Sequence, residues 1–146
     1  MTSPKFSIMA NAPKPVGAYP LARKVGQLLF LSGVGPRIPG SDAHDSGVPG
    51  LSLDHNGNFQ SFDFEAQVHS VFQNVKSILE AHGSRWDLLV DVQVFLVDMK
   101  RDFQAFNRIY AEYFAEVDPK PCRTTVAIQA LPTPIAIELK CVASLA

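Results

Sequence analysis

From Asp63 onward, Phe64, Val68, Val71, Phe72, Val75, Ile78 and Leu79 return at three- and four-residue intervals and stop short of Gly83. That period marks one buried face of a helix, and the glycine offers a left-handed exit from it. Next, Leu88 to Val97 (LLVDVQVFLV) mixes β-branched and aromatic residues with Asp91 and Gln93 and reads as a mostly buried strand. Asp102 sits where an N-cap belongs, and Phe103, Phe106, Tyr110 and Phe114 carry one face of a second helix ending near Glu116. Strands are predicted over Arg123–Gln129 and Ile135–Ala143, separated by Leu131-Pro132-Thr133-Pro134.

Upstream, the short apolar run Gly26–Ser32 predicts a buried strand that delivers Ser32 at its end, before Gly33. Residues 34–62 form a long segment rich in Gly, Pro, Ser, Asp and Asn, a length that signals function or a hidden hairpin. Asn56-Gly57, flanked by Leu51, Leu53 and Phe59, predicts that hairpin over 51–60 with a type I′ turn. Residues 1–16, with Pro4, Pro13 and Pro15, read as an extended N-terminal segment. The order is that of an α+β domain with helices on one face of a sheet, and 146 residues suit a single domain over 1–146.

Composition narrows the partners. Thirteen Lys plus Arg against fourteen Asp plus Glu give a net charge of -1, with no basic run able to track a phosphate backbone, so nucleic acid is not an expected partner. No apolar run approaches the roughly 20 residues that cross a bilayer. The proline-bearing N-terminal stretch lacks a signal-peptide pattern, and a cytoplasmic location and no membrane partner are expected. Charged residues make up only 18% of the chain, a thin polar coat that suggests a subunit interface. Cys122 and Cys141 are expected to be reduced and to pack as small hydrophobes. His44, His55, His69 and His82 lack metal-ligand spacing, and no phosphate-cradling glycine motif is present; neither metal nor cofactor is expected.

Alternation along the last two strands places Arg123 and Thr125 on one face, and Glu138 with Lys140 on one face of the other. If the strands pair as a hairpin, Thr125 lies opposite Glu138, Arg123 opposite Lys140, and Glu138 within diagonal reach of Arg123. Such a pair reads equally as a structural ion pair with Lys140 solvated and as an anion site, because a guanidinium matches a carboxylate fork. Beyond Asp118, Lys120, Arg123 and Lys140 meet only one anion, Glu138, a balance suited to an anionic ligand.

The run CRTTVAIQALPTPIAIELKCVA at 122–143 resembles the signature of the Rid (reactive intermediate deaminase, or YjgF-type) family. So do Gly17 and Tyr19, LFLSG at 29–33, LEAHG at 79–83, VDVQVFLVDM at 90–99 and FNRIYAEYF at 106–114. Within that family the GVGPR loop, CRTTV and LPTPIAIELK look most like the 2-aminomuconate deaminases. The resemblance implies a chorismate-mutase-like fold and a homotrimer, or dimer of trimers, with clefts between subunits. It also implies that Arg123 takes a substrate carboxylate and that Glu138 holds the water for imine or enamine hydrolysis. Tyr19, Ser32, Asn107 and Thr125 fall on positions lining the family's cleft; Thr125 stands where many members carry Cys, and Val34 where many carry Gln.

Each also has a plainer reading. Tyr19 suits packing of a turn, Asn107 suits a solvated helix amide, and Ser32 suits strand termination. A dicarboxylate such as 2-aminomuconate requires a second cation: Arg37, otherwise a solvated loop residue, or Lys140. The expected activity is hydrolytic deamination of a small enamine or imine carboxylate, 2-aminomuconate from aromatic-compound catabolism being favoured. A general 2-imino acid (2-aminoacrylate) deaminase and a non-enzymatic ligand-sensing or chaperone-like module are the competing readings.

Overall fold

A computed structural model of the protein describes residues 12–40 and 47–146. Most of the expected N-terminal segment and His44 therefore lie outside the described residues. The elements run β1 (Ala22–Val25), β2 (Leu28–Leu31), β3 (Leu51–Leu53), β4 (Phe59–Phe62), α1 (Phe64–Ala81), β5 (Leu89–Leu96), α2 (Met99–Tyr113), β6 (Cys122–Ala127) and β7 (Ile137–Ser144). Five strands form one mixed sheet in the order β1-β2-β7-β5-β6, and β3 with β4 make a separate ribbon. Only β5 and β6 run parallel, with α2 as the crossover between them.

Both helices cover one face of the sheet. β7 alternates without a break: Ile137, Leu139, Cys141 and Ala143 are buried, while Glu138, Lys140, Val142 and Ser144 are half-buried. The buried set meets Val68, Val71, Phe72, Val75, Ile78 and Leu79 of α1 and Phe106 and Ile109 of α2 in one core. Each fully buried Leu or Phe there contributes about 1.5–3 kcal/mol of transfer free energy. Trp86, Phe72, Tyr110, Tyr113 and Phe114 close the layer between the helices as a ring cluster.

The opposite face is open and partly apolar. Phe30 is 39% exposed and Val126 40%, and Phe95 lies beside Val126 in the register.

Several sequence expectations are corrected. The strand expected over 26–32 is present as Leu28–Leu31 and delivers Ser32, but it is the second arm of a hairpin that turns at Gly26, φ +59°; the polar ARKV arm lacks the apolar signal of its partner. The 51–60 hairpin exists, extending to Phe62, but its turn is not type I′. No described non-glycine residue has positive φ, and only Gly57 does in this turn. Instead the Asp54 carboxylate accepts from the Asn56 and Asn58 amides, both at 2.9 Å, and shapes a longer loop.

The cap of α2 is Asp98, which accepts from the Arg101 amide at 3.0 Å. Asp102, one turn inside, is buried and ion-paired to Arg101. That helix ends at Tyr113 rather than near Glu116. The cap of α1 is Asp63, whose carboxylate accepts from the Ala66 amide at 3.2 Å, and the left-handed Gly83 beyond the helix end is as expected.

The largest correction concerns the last two strands, which do not pair. β5 lies between them, Phe95 facing Val126 on one side and Glu138 on the other. The nine residues between them, with Pro132 and Pro134, look like a hairpin loop, yet β7 gains more from the buried centre of the sheet than β6 can offer at its edge.

Candidate active site

Because β5 intervenes, Arg123 and Glu138 do not form a pair, and they stand on opposite faces. Arg123 and Cys141 both align with Val92, on the helix-covered side, whereas Glu138 aligns with Phe95 on the open side. Lys140 shares the open face with Glu138 and not the face of Arg123. It is not solvated either: its Nζ donates to the Leu31 carbonyl. One chain thus carries two separate groups of candidate residues.

The first group surrounds Glu138. After β2 the chain continues beside β7, with Val34 and Leu139 exchanging backbone bonds of 2.8 and 2.9 Å. This brings Gly33 against the Glu138 carboxyl so closely that a Cβ at residue 33 would lie 2.9 Å from Cδ. Asn74, buried on α1, donates from Nδ2 to the carbonyls of Gly35 (3.0 Å) and Arg37 (2.9 Å), tying this loop to the core.

Arg37 is only 7% exposed, so it is not the solvated loop residue of the plainer reading. Its Nη2 donates to the Lys14 carbonyl at 2.7 Å, and its Nη1 is buried without an acceptor among the described residues. A shallow depression lies here, lined by Tyr19, Gly33, Arg37, Thr133 and Glu138 among others. Ser32 lines a second depression, which shares Tyr19, Gly33 and Arg37 with the first, and its Oγ donates to the Pro20 carbonyl at 2.7 Å. The Tyr19 hydroxyl accepts from the Val16 amide at 3.2 Å.

Burial raises Glu138 above the ordinary carboxylate range, and the nearby Arg37 charge works against that rise. Burial likewise lowers Arg37, opposed by Tyr19 and Glu138. A carboxyl held this way is a proton carrier beside a fixed cation.

The second group surrounds Arg123 at the sheet edge. Its guanidinium lies over the rings of Tyr110 (4.7 Å to the centroid), Phe106 (5.5 Å) and Phe103 (6.0 Å). Thr125, two residues on along the same face, has a buried Oγ1 without a partner among the described residues, and the Tyr110 hydroxyl is in the same condition. Burial pushes the Tyr110 hydroxyl up to about 12. Asn107 is exposed on α2, between Phe103 and Tyr110 on neighbouring turns.

Of the sequence-derived residues, Tyr19, Ser32, Arg37 and Glu138 come together, and Arg123, Thr125 and Asn107 come together elsewhere. Cys122 is exposed rather than packed, whereas Cys141 is buried. Asn74 and Tyr110 escaped the sequence reading. Asn74 was detectable as an amide on the apolar stripe between Val71 and Ile78; Tyr110 looked like one more core aromatic.

Comparison with known proteins adds the following. The model of the family described as Endoribonuclease L-PSP matches residues 9–145. A RutC family protein of Pyrococcus horikoshii is 37% identical over 133 residues, 91% of each chain. Reactive Intermediate Deaminase A, chloroplastic, of Arabidopsis thaliana is 36% identical over 135 residues, 92% of this chain and 63% of that protein. Among solved structures, E. coli TdcF with bound serine superposes with a TM-score of 0.73 at 25% identity, covering 94% of this chain and 95% of that one.

Proposed function

We infer a hydrolytic deaminase from one premise: the chain belongs to the Endoribonuclease L-PSP family, the Rid family of the sequence resemblance. The substrate is a small enamine or imine carboxylate, with 2-aminomuconate favoured. The observation that carries this reading is the half-buried Glu138 carboxyl, seated against Gly33 with Arg37 beside it. A relative that bears the deaminase name, and a neighbour that holds an amino acid, support the substrate class.

The two groups of residues act together only if a second copy of the chain supplies one of them. We assign Glu138, Tyr19 and Ser32 to one copy and Arg123, Thr125 and Asn107 to its neighbour, in a homotrimer or a dimer of trimers with a cleft at each junction. The open sheet face, with Phe30 and Val126 exposed, supports such an association.

Arg123 grips the substrate carboxylate with two parallel N–H bonds, its plane held by the Tyr110 ring. The enamine first takes a proton from solvent at carbon to become the iminium ion. Water then adds to the C=N carbon: Glu138 accepts a proton from the water as the C–O bond forms. As the C–N bond breaks, the same carboxyl returns the proton to the departing nitrogen. Ammonia leaves as the hydroxyl proton of the intermediate passes to solvent, balancing the proton taken at carbon, and the carbonyl product remains.

The ligand is a small anion rather than a nucleic acid, because the cations of each group are few and singly placed. No described helix is long and apolar enough to cross a membrane, and we place the reaction in the cytoplasm. The test is ammonia release from 2-aminomuconate and from 2-aminoacrylate. The wild type is expected to turn over at least one of them and Glu138→Gln neither; an equally active Glu138→Gln would overturn the mechanism.

A further inference from the structure

We propose that Arg37 binds a second carboxylate, remote from the reacting carbon, and so makes the site selective for dicarboxylates. The proposal deepens the deaminase reading and rests on it. The observation is a buried cation of which the fold satisfies one terminal nitrogen and leaves the other without an acceptor among the described residues. Arg37 is more than nine-tenths buried, spends Nη2 on the Lys14 carbonyl, and leaves Nη1 buried without an acceptor among the described residues. A buried charged donor without an acceptor is costly to the fold, and a ligand oxygen removes that cost.

The residue lines the depression beside Glu138, and Asn74 pins its backbone, so the guanidinium is presented on a rigid support. Among the described residues no ion pair joins Arg37 to Glu138, and its charge is left available. The competing cation is committed: Lys140 donates to the Leu31 carbonyl.

Charge decides the class of anion. One guanidinium with a carboxyl at its side matches a singly charged carboxylate, whereas a dianionic phosphate would meet Glu138 with too few donors to offset the repulsion. A Cβ at Gly33 would meet Glu138 Cδ and one at Gly35 would meet Ile135 Cδ1, each at 2.9 Å, so this close-packed lining suits a small group and not a bulky one.

The probes are muconate and sorbate, which share a conjugated diene acid and differ only in a carboxylate or a methyl at the far end. Neither carries a nitrogen to lose, so binding by titration calorimetry is read independently of turnover. Wild-type protein is expected to bind muconate about tenfold to a hundredfold tighter than sorbate, the range of one charge-assisted contact. Arg37→Met should erase that preference and leave sorbate binding unchanged, and Arg37→Lys should retain part of it. Equal losses for both ligands would assign Arg37 to the loop alone and overturn the proposal. Unchanged preference in Arg37→Met would overturn it too. Should Arg37→Met not fold, the wild type still decides: muconate bound no tighter than sorbate refutes the second site. A muconate preference without ammonia release from any enamine would instead strike the deaminase reading and leave the anion site standing.

Discussion

Replacing Gly33 by alanine separates the placement of Glu138 from the stability of the fold. The new Cβ would lie 2.9 Å from Glu138 Cδ and 2.9 and 3.2 Å from its two oxygens, where relaxed contacts between carbons sit near 3.5–4.0 Å. The carboxyl must therefore retreat by roughly 0.5–1 Å. It is the free end of a flexible side chain, so the backbone bears little of this. Gly33 is not among the glycines with positive φ, and alanine there even lowers unfolded-state entropy by the equivalent of about 0.4–1 kcal/mol. The two small terms oppose, and Gly33→Ala should unfold within about 1 kcal/mol of wild type. Catalysis is less forgiving: a displacement near 1 Å costs about a hundredfold in rate. Thermal unfolding and steady-state ammonia release on the same preparation make the comparison. A wild-type rate in Gly33→Ala, with Glu138→Gln inactive, would refute the claim that the carboxyl must rest against residue 33.

Asn74→Leu leaves two loop carbonyls without their donor and should cost about 2–4 kcal/mol in urea unfolding; a change under 0.5 kcal/mol would deny the tie. Arg123→Lys should keep the fold, since an ammonium still sits over the Tyr110 ring, while kcat/KM falls about tenfold to a hundredfold through loss of the bidentate grip. Normal kinetics would remove Arg123 from substrate binding. Because burial raises Glu138, the acid limb of the rate profile should lie above the ordinary carboxylate range. As pH falls through that value the carboxylate gains a proton, cannot accept one from water, and the rate drops; a limb near 4 would contradict this. Cys141, pushed up to about 12 by burial, should resist alkylation until the chain unfolds, and labelling of the native protein at that residue would show the core to be open there.

The helices were legible because their apolar residues keep a strict period: α1 follows the stripe from Phe64 to Leu79. Strand pairing was not, since it depends on which edge yields the most burial. Nothing local in CRTTVA says that β5, not β7, is its neighbour. The polar face of β6 turned toward α2 also ran against pattern, because Arg123 satisfies that side through aromatic rings rather than through an acid. Residue identities at the site were readable from the Rid resemblance, but their division into two groups follows from the strand order. The burial of Arg37 depends on Asn74, whose amide stands on a helix thirty-odd residues away and gives no local sign of its target.

The central claim is that Glu138 of one copy works with Arg123 of another. Glu138→Gln and Arg123→Met, each inactive alone, should be mixed in equal amounts, unfolded together and refolded. If sites form between copies, about one junction in four joins an intact Glu138 to an intact Arg123, and about a quarter of wild-type ammonia release returns. If each chain held a complete site of its own, the mixture would stay as inactive as its parts, and the account would be wrong.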